Sequence, residues 1–99
     1  MKIGKIVGTL VASQKDPALT GLRFQVLKNV SVDGTVKDDY VVAVDAVGAG
    51  LGEYVLYASG SSARQTTATD KRPVDAVIMA IVDTWEVGGE VKYEKSMHN

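Results

Sequence analysis

Three parts of the chain carry residue types that do chemistry. The first, VDAVGAGLGEYVLYASGSSAR over residues 44–64, holds Gly48, Gly50, Gly52 and Gly60 and has the look of a loop that cradles phosphate. A dinucleotide fingerprint needs Gly-x-Gly-x-x-Gly between a strand and a helix, because the helix N-terminus offers its amides to the pyrophosphate. Here Gly48-Ala49-Gly50-Leu51-Gly52 has a different spacing and leads into a strand pattern, and a Walker loop's Gly-Lys-Ser or Gly-Lys-Thr occurs nowhere in the chain. The three glycines therefore read as a tight strand connection, supplying positive φ or close backbone approach. The second part, Gly60-Ser61-Ser62-Ala63-Arg64, offers a turn glycine, two hydroxyls and a guanidinium, a set that binds anions. The plainer reading is a polar loop whose Arg64 pairs with a carboxylate within or between chains. The third part is the ionisable remainder. His98, the single histidine, lies one residue from the end, and no cysteine exists to join it. Acid–base catalysis and metal ligation both need a positioned imidazole, so neither a catalytic nor a metal-binding set is expected, and no cofactor. Asp38 and Asp39 sit in a turn region and read as solvated. Asp45, Asp75 and Asp83 lie amid apolar residues, where an unpaired charge is costly. They are expected to accept hydrogen bonds from backbone, Arg64 or Arg72, in structural roles.

The elements that must position these groups are short strands. KIGKIVGTLVAS (2–13) is rich in β-branched residues and broken by glycine, which predicts a long strand bent at Gly4 or Gly8. QKDPALTG (14–21) has loop chemistry. LRFQVLKNVSV (22–32) alternates Leu22, Phe24 and Val26 with Arg23 and Gln25, the period of a half-buried strand. Asp33-Gly34 then signals a hairpin. Further strands are predicted over 39–47, 53–59, 76–87 and 90–95, the last two separated by a turn at Gly88-Gly89. Residues 60–69 are polar and irregular. DKRPVDAV (70–77), with Asp70 as N-cap and Pro73 in the first turn, predicts a single helical turn. The fold class expected is all-β: a five- to six-stranded antiparallel barrel, OB-like, with one short helical turn. Residues 1–95 form its single domain and 96–99 a flexible tail.

Composition narrows the partners. A chain of 99 residues supports one modest core, and without disulfides or metal a domain of this size often gains stability by assembling. Eleven basic and twelve acidic residues give a net charge of −1, so no bulk attraction to nucleic acid or anionic lipid is implied. The longest apolar run, AVIMAIV at 76–82, is far short of the ~20 residues that span a bilayer. The N-terminus lacks an export pattern, and a cytoplasmic protein fits best. A small barrel that binds single strands needs aromatic platforms beside basic residues. Phe24 and Trp85 read more simply as core or interface residues, and Tyr40, Tyr54, Tyr57 and Tyr93 look scattered. A nucleic-acid-binding module and a small anion- or effector-binding domain remain the alternatives.

GTLVASQKDPALTG (8–21), the block at 44–64 and RPVDAVIMAIVDT (72–84) together resemble the EutN/CcmL family of bacterial microcompartment vertex proteins. The second block is the most specific: glycine turn, Gly-Glu, apolar strand and Gly-Ser-Ser-Ala-Arg follow in the family's order and spacing. The resemblance implies a small β-barrel forming a homo-pentamer at the fivefold vertices of a carboxysome or metabolosome shell. It implies a structural role, no enzymatic activity, a cytoplasmic location in that shell, and hexameric and trimeric shell proteins as neighbours. No nucleic acid and no membrane are implied as partners. On that reading Gly48, Ala49, Gly50, Gly52, Glu53, Ser61, Ser62 and Arg64 are candidates for the axis, its pore or the subunit interface, with Glu53 and Arg64 a candidate ion pair. Gln14, Lys15, Asp16 and Pro17 form a candidate contact loop to neighbouring tiles.

Overall fold

The computed structural model describes residues 1–97, so His98 and the last residue of the expected tail lie outside the described residues. Among the described residues there are seven strands: β1 (Lys2–Leu10), β2 (Phe24–Val30), β3 (Val36–Asp45), β4 (Tyr54–Ser59), β5 (Ala76–Ile81), β6 (Thr84–Val87) and β7 (Glu90–Glu94). The first five close a barrel in the order β1-β2-β3-β5-β4, and β6 and β7 form a separate two-stranded sheet. The all-β, OB-like architecture read from the sequence is therefore the one observed. One pairing departs from the antiparallel expectation, since β3 and β5 run parallel through Val44↔Val77 and Asp45↔Ile78. β4, antiparallel to β5, carries the chain back between the two, so that β3 and β5 run the same way.

Two further elements fall elsewhere than expected. The apolar run over 76–87 is two strands, because the chain leaves the barrel at Val82-Asp83 and turns back as the β6–β7 hairpin. The helical turn lies at Gly60–Arg64 as a 3-10 turn, not over 70–77. There Lys71 has a φ of 59°, a left-handed conformation that no helix continues through. A second 3-10 turn, Pro17–Leu19, interrupts the expected loop, with Asp16 capping it by accepting from the Ala18 amide at 2.9 Å. The bend predicted in β1 is a bulge, seen as a register shift against β2 between Ile6 and Gly8.

The apolar residues divide into two layers. Inside the barrel, Ile6, Leu27, Val55, Tyr57 and Ile78 pack with Ala43, Ala49 and Ala76. A second layer joins Val44, Ala58, Val77, Ala63 and Val74, with Leu19, Leu22 and Phe24 packed against it. Phe24↔Val44, Val44↔Val77 and Val77↔Ala58 are cross-strand neighbours, so this layer is one row across four strands, covered by the loops 17–22 and 60–75. That covering gives β2 apolar neighbours on both of its faces. Gln25 and Leu27 are the buried residues, while Phe24 and Val26 are half-buried, because both faces of the strand meet apolar neighbours. Gly4 is needed inside: a Cβ there would stand 3.2 Å from Leu27 Cδ1 and 3.3 Å from the Tyr57 ring.

Candidate functional site

The candidate residues gather in two polar turns and one loop. The first turn, 46–53, begins where β3 ends. The half-buried Asp45 carboxylate accepts from the amides of Val47 at 3.0 Å and Gly48 at 2.8 Å, and from Gln25 Nε2 at 3.2 Å. Burial pushes the Asp45 pKa up, but these donors outweigh it and hold the carboxyl below its usual value. Gly48 and Gly52 take φ of 78° and 85°, conformations that strain any side chain with a Cβ. Between them Ala49 is buried in the barrel core, and its carbonyl accepts from Gln25 Nε2 at 2.9 Å. The turn ends at Glu53, whose Oε1 accepts from the Gly50 amide at 2.6 Å. Its Oε2 meets Lys95 Nζ at 2.6 Å. The Lys95 ammonium and then the Gly50 amide hold the Glu53 carboxyl below its usual pKa, and Glu53 in turn raises Lys95. Backbone bonds Ile6 N to Glu53 O and Gly52 N to Ile6 O, each 2.9 Å, fasten the turn to β1.

The second turn, Gly60–Arg64, is held differently. Ala63 is fully buried in the outer apolar layer, and its carbonyl accepts from the buried Thr69 hydroxyl at 2.6 Å. Gly60 N donates to Asp75 O at 2.8 Å. Arg64 Nη1 donates to Val74 O at 3.2 Å, and Arg72 to Thr20 O at 3.1 Å. Both arginines thus bond to backbone carbonyls, not to the aspartates expected to receive them. Asp75 and Asp83 are exposed. Ser61 and Ser62 are exposed beside Arg64. β4 separates the turns, so Gly52 and Gly60 lie at opposite ends of a six-residue strand, roughly 20 Å apart at about 3.3 Å per residue. Within one chain Glu53 pairs with Lys95 and not with Arg64. In the contact-loop candidate, Lys15 Nζ donates to Ala12 O at 3.0 Å, and Gln14 through Pro17 are exposed.

Three contributors to this region escape sequence reasoning. Gln25 reads as a solvent-facing residue, yet it joins β2, β3 and the glycine turn. Lys95 lies 42 residues from its partner. The aromatic residues that looked scattered include a cluster: Tyr54, Trp85 and Tyr93 have ring centroids 4.3–5.7 Å apart. Trp85 Nε1 also donates to Val32 O at 2.8 Å, so the β6–β7 hairpin is tied to the barrel at the aromatic cluster, at Val32 and at Glu53. Alternating apolar residues around Gly88-Gly89 were the available signal for that hairpin. Among the described residues no group of three His, Cys, Asp or Glu stands close enough to hold a metal ion, and no helix is long and apolar enough to cross a membrane.

The profile of the family described as "Ethanolamine utilisation protein EutN/carboxysome" matches residues 1–83. The chain belongs to this family. As an EutN/CcmL protein it is similar to the carboxysome shell vertex protein CcmL of Gloeobacter violaceus, with 46% identity over 95 residues, covering 96% of this chain and 95% of the relative. The solved structure of Gloeobacter violaceus CcmL superposes with a TM-score of 0.93 at 46% identity, covering 97% of this chain and 99% of the other. The GrpN pentameric microcompartment shell protein of Rhodospirillum rubrum superposes at 0.80 and 38% identity, covering 88% and 99%. The similarity extends past the matched profile and includes the hairpin that carries Trp85 and most of β7.

Proposed function

We propose that this chain assembles as a ring of five copies that closes a vertex of a bacterial microcompartment shell. The observation that carries the reading is its likeness, over nearly its whole length, to a protein named as a shell vertex protein and to one named as a pentameric shell protein. The single chain is also physically suited to assembly. Large apolar side chains stand in water in its connections, among them Val11 at 90% exposure and Leu51 at 74%, and a neighbouring copy would cover such surface at no polar cost. A flat sheet of hexagonal tiles cannot close, and fivefold units supply its curvature. A head-to-tail contact builds such a ring when its rotation closes.

On this reading the chain's role is architectural and it performs no reaction of its own. It resides in the shell beside hexameric and trimeric shell proteins. The turns 48–52 and 60–64 are the candidates for the fivefold axis and its surroundings, and the loop Gln14–Pro17 for contact with a neighbouring tile. Native mass spectrometry tests the ring: a species near five times the 10.5 kDa chain mass is expected, and a strict monomer at micromolar concentration overturns it. Co-expression with shell tiles tests the location. Closed particles are expected with this chain present, and particles open at their vertices without it.

A further inference from the structure

One buried acceptor of the barrel, Gln25 Oε1, has no donor among the described residues. The Nε2 of the same amide donates to Asp45 Oδ2 at 3.2 Å and to the Ala49 carbonyl at 2.9 Å. Both partners are oxygens, so the two amide protons are taken and the nitrogen end is fixed toward the glycine turn. Oε1 stands on the other side of the amide, in a residue only 3% exposed. An acceptor buried without a donor is costly, and a folded chain keeps one where something other than its own groups meets it.

Gln25 is also the one buried residue in the lining of a cavity of about 360 Å³, at the place where the chain leaves β1 and enters β2. Thr9 lies directly across the β1–β2 pairing from it, so the two side chains stand on the same face of the sheet. Leu22 and Phe24 supply apolar wall. The charged groups of the lining are Lys15 and Arg23, with no carboxylate among them. Lys15 Nζ uses one proton on the Ala12 carbonyl at 3.0 Å. Arg23 is exposed, and among the described residues its guanidinium has no partner. Its backbone is held in place, because the Arg23 carbonyl accepts from the Asp45 amide at 2.9 Å.

These groups sort a ligand by its two ends. An anionic end is repelled from the floor by Oε1 and by the Asp45 carboxylate behind the amide. It is drawn instead to the rim, by the Arg23 fork that matches carboxylate and phosphate oxygens and by the Lys15 ammonium. The floor takes an O–H donor. We propose that this cavity binds a small hydroxylated organic anion, a phosphate or a carboxylate. A hydroxyl of the ligand donates to Gln25 Oε1, and its anionic group sits at Arg23 and Lys15. All of these residues belong to one chain, so the site does not depend on the five-copy ring.

Titration calorimetry on the unsubstituted protein, in whatever assembly it adopts, tests the site with four probes. Glycerol phosphate or glycerate is expected to bind at millimolar concentration or below, and the tighter of the two names the anionic group. Propyl phosphate keeps the anion and lacks the hydroxyls, and glycerol lacks the anion. Each should bind at least about tenfold more weakly, since a site built around a buried acceptor rejects a ligand that leaves it unpaired. Arg23→Gln should cost about tenfold in affinity, with circular dichroism showing the fold unchanged. In an isotope-labelled sample the Gln25 side-chain amide signals should shift on binding, whereas an anion held only at the surface leaves them in place. The site is overturned if neither hydroxylated anion gives heat, if propyl phosphate binds as tightly as glycerol phosphate, if the Gln25 signals stay in place, or if Arg23→Gln leaves affinity untouched. None of these outcomes bears on the ring.

Discussion

The two polar turns that flank β4 are held by opposite means. Around Gly48–Gly52, the carboxylates of Asp45 and Glu53 grip backbone amides, Gln25 reaches up from the barrel, and Lys95 closes the set from the hairpin. Around Gly60–Arg64 the anchor is Ala63, buried to the last atom, with the Thr69 hydroxyl on its carbonyl. Carboxylates hold one turn, while in the other a buried side chain is the anchor and the hydrogen bonds run to backbone carbonyls. The difference teaches that glycine and serine content alone says little about what stiffens a loop. It also divides the candidate site into a turn gripped by carboxylates and a turn gripped by a buried side chain.

The harshest way to break that division is Gln25→Glu. Gln25 is 3% exposed and lies 3.2 Å from an Asp45 oxygen, so a second carboxylate there is buried against a like charge. A loss of about 3–5 kcal/mol at pH 7 is expected, as when a buried charge is left unpaired. Acidification should relieve part of it, as one of the two carboxyls takes up a proton. A chemical denaturation series at two pH values reads both. Next comes Ala63→Leu in the packed turn, which should cost about 1–3 kcal/mol through overpacking, with no change between low and high salt or across pH 4–8.

Glu53→Gln sharpens the charged side. The Glu53 pKa is lowered in the folded chain, so its contribution is present above the unfolded carboxylate value and is lost as pH falls through the folded one. The variant should therefore melt a few degrees lower at pH 7, and the gap should close below about pH 4. A gap that stays constant over that range would assign the effect to shape and not to charge. The smallest effect is expected at Arg64→Ala, which removes one bond to the Val74 carbonyl and should cost no more than about 1 kcal/mol of chain stability. If native mass spectrometry shows the five-chain species lost while the melting of the single chain is unchanged, Arg64 has its main partner on the neighbouring copy.

Local chemistry was legible where it acts locally. The glycines of 48–52 make a strand connection, Asp33-Gly34 makes a hairpin with the Thr35 amide on Asp33 Oδ1, and the glycine in β1 marks a bulge. What could not be read locally depended on residues distant in sequence. Alternation in β2 gives two faces but not their destinations, and the loops that cover its outer face lie on both sides of it in the chain. Nothing in the apolar run 76–87 marks the departure at Val82-Asp83, which is set by where β4 ends its pairing with β5. Capping signals at 70–77 were present, yet Lys71 in a left-handed conformation prevented the helix. The family's three sequence blocks hold most of the candidate site, but Lys95, which completes the Glu53 contact, lies beyond all of them.

Trp85 is the only tryptophan of the chain, and it packs beside both Tyr54 of the barrel and Tyr93 of the hairpin with its indole N–H on the Val32 carbonyl. The molecule thus carries its own optical gauge. Light absorbed by either tyrosine can pass to the indole, whose emission colour answers to whether the hairpin is seated or swung into water. Seating of the hairpin on the barrel can thus be followed in the unlabelled chain by watching that one side chain.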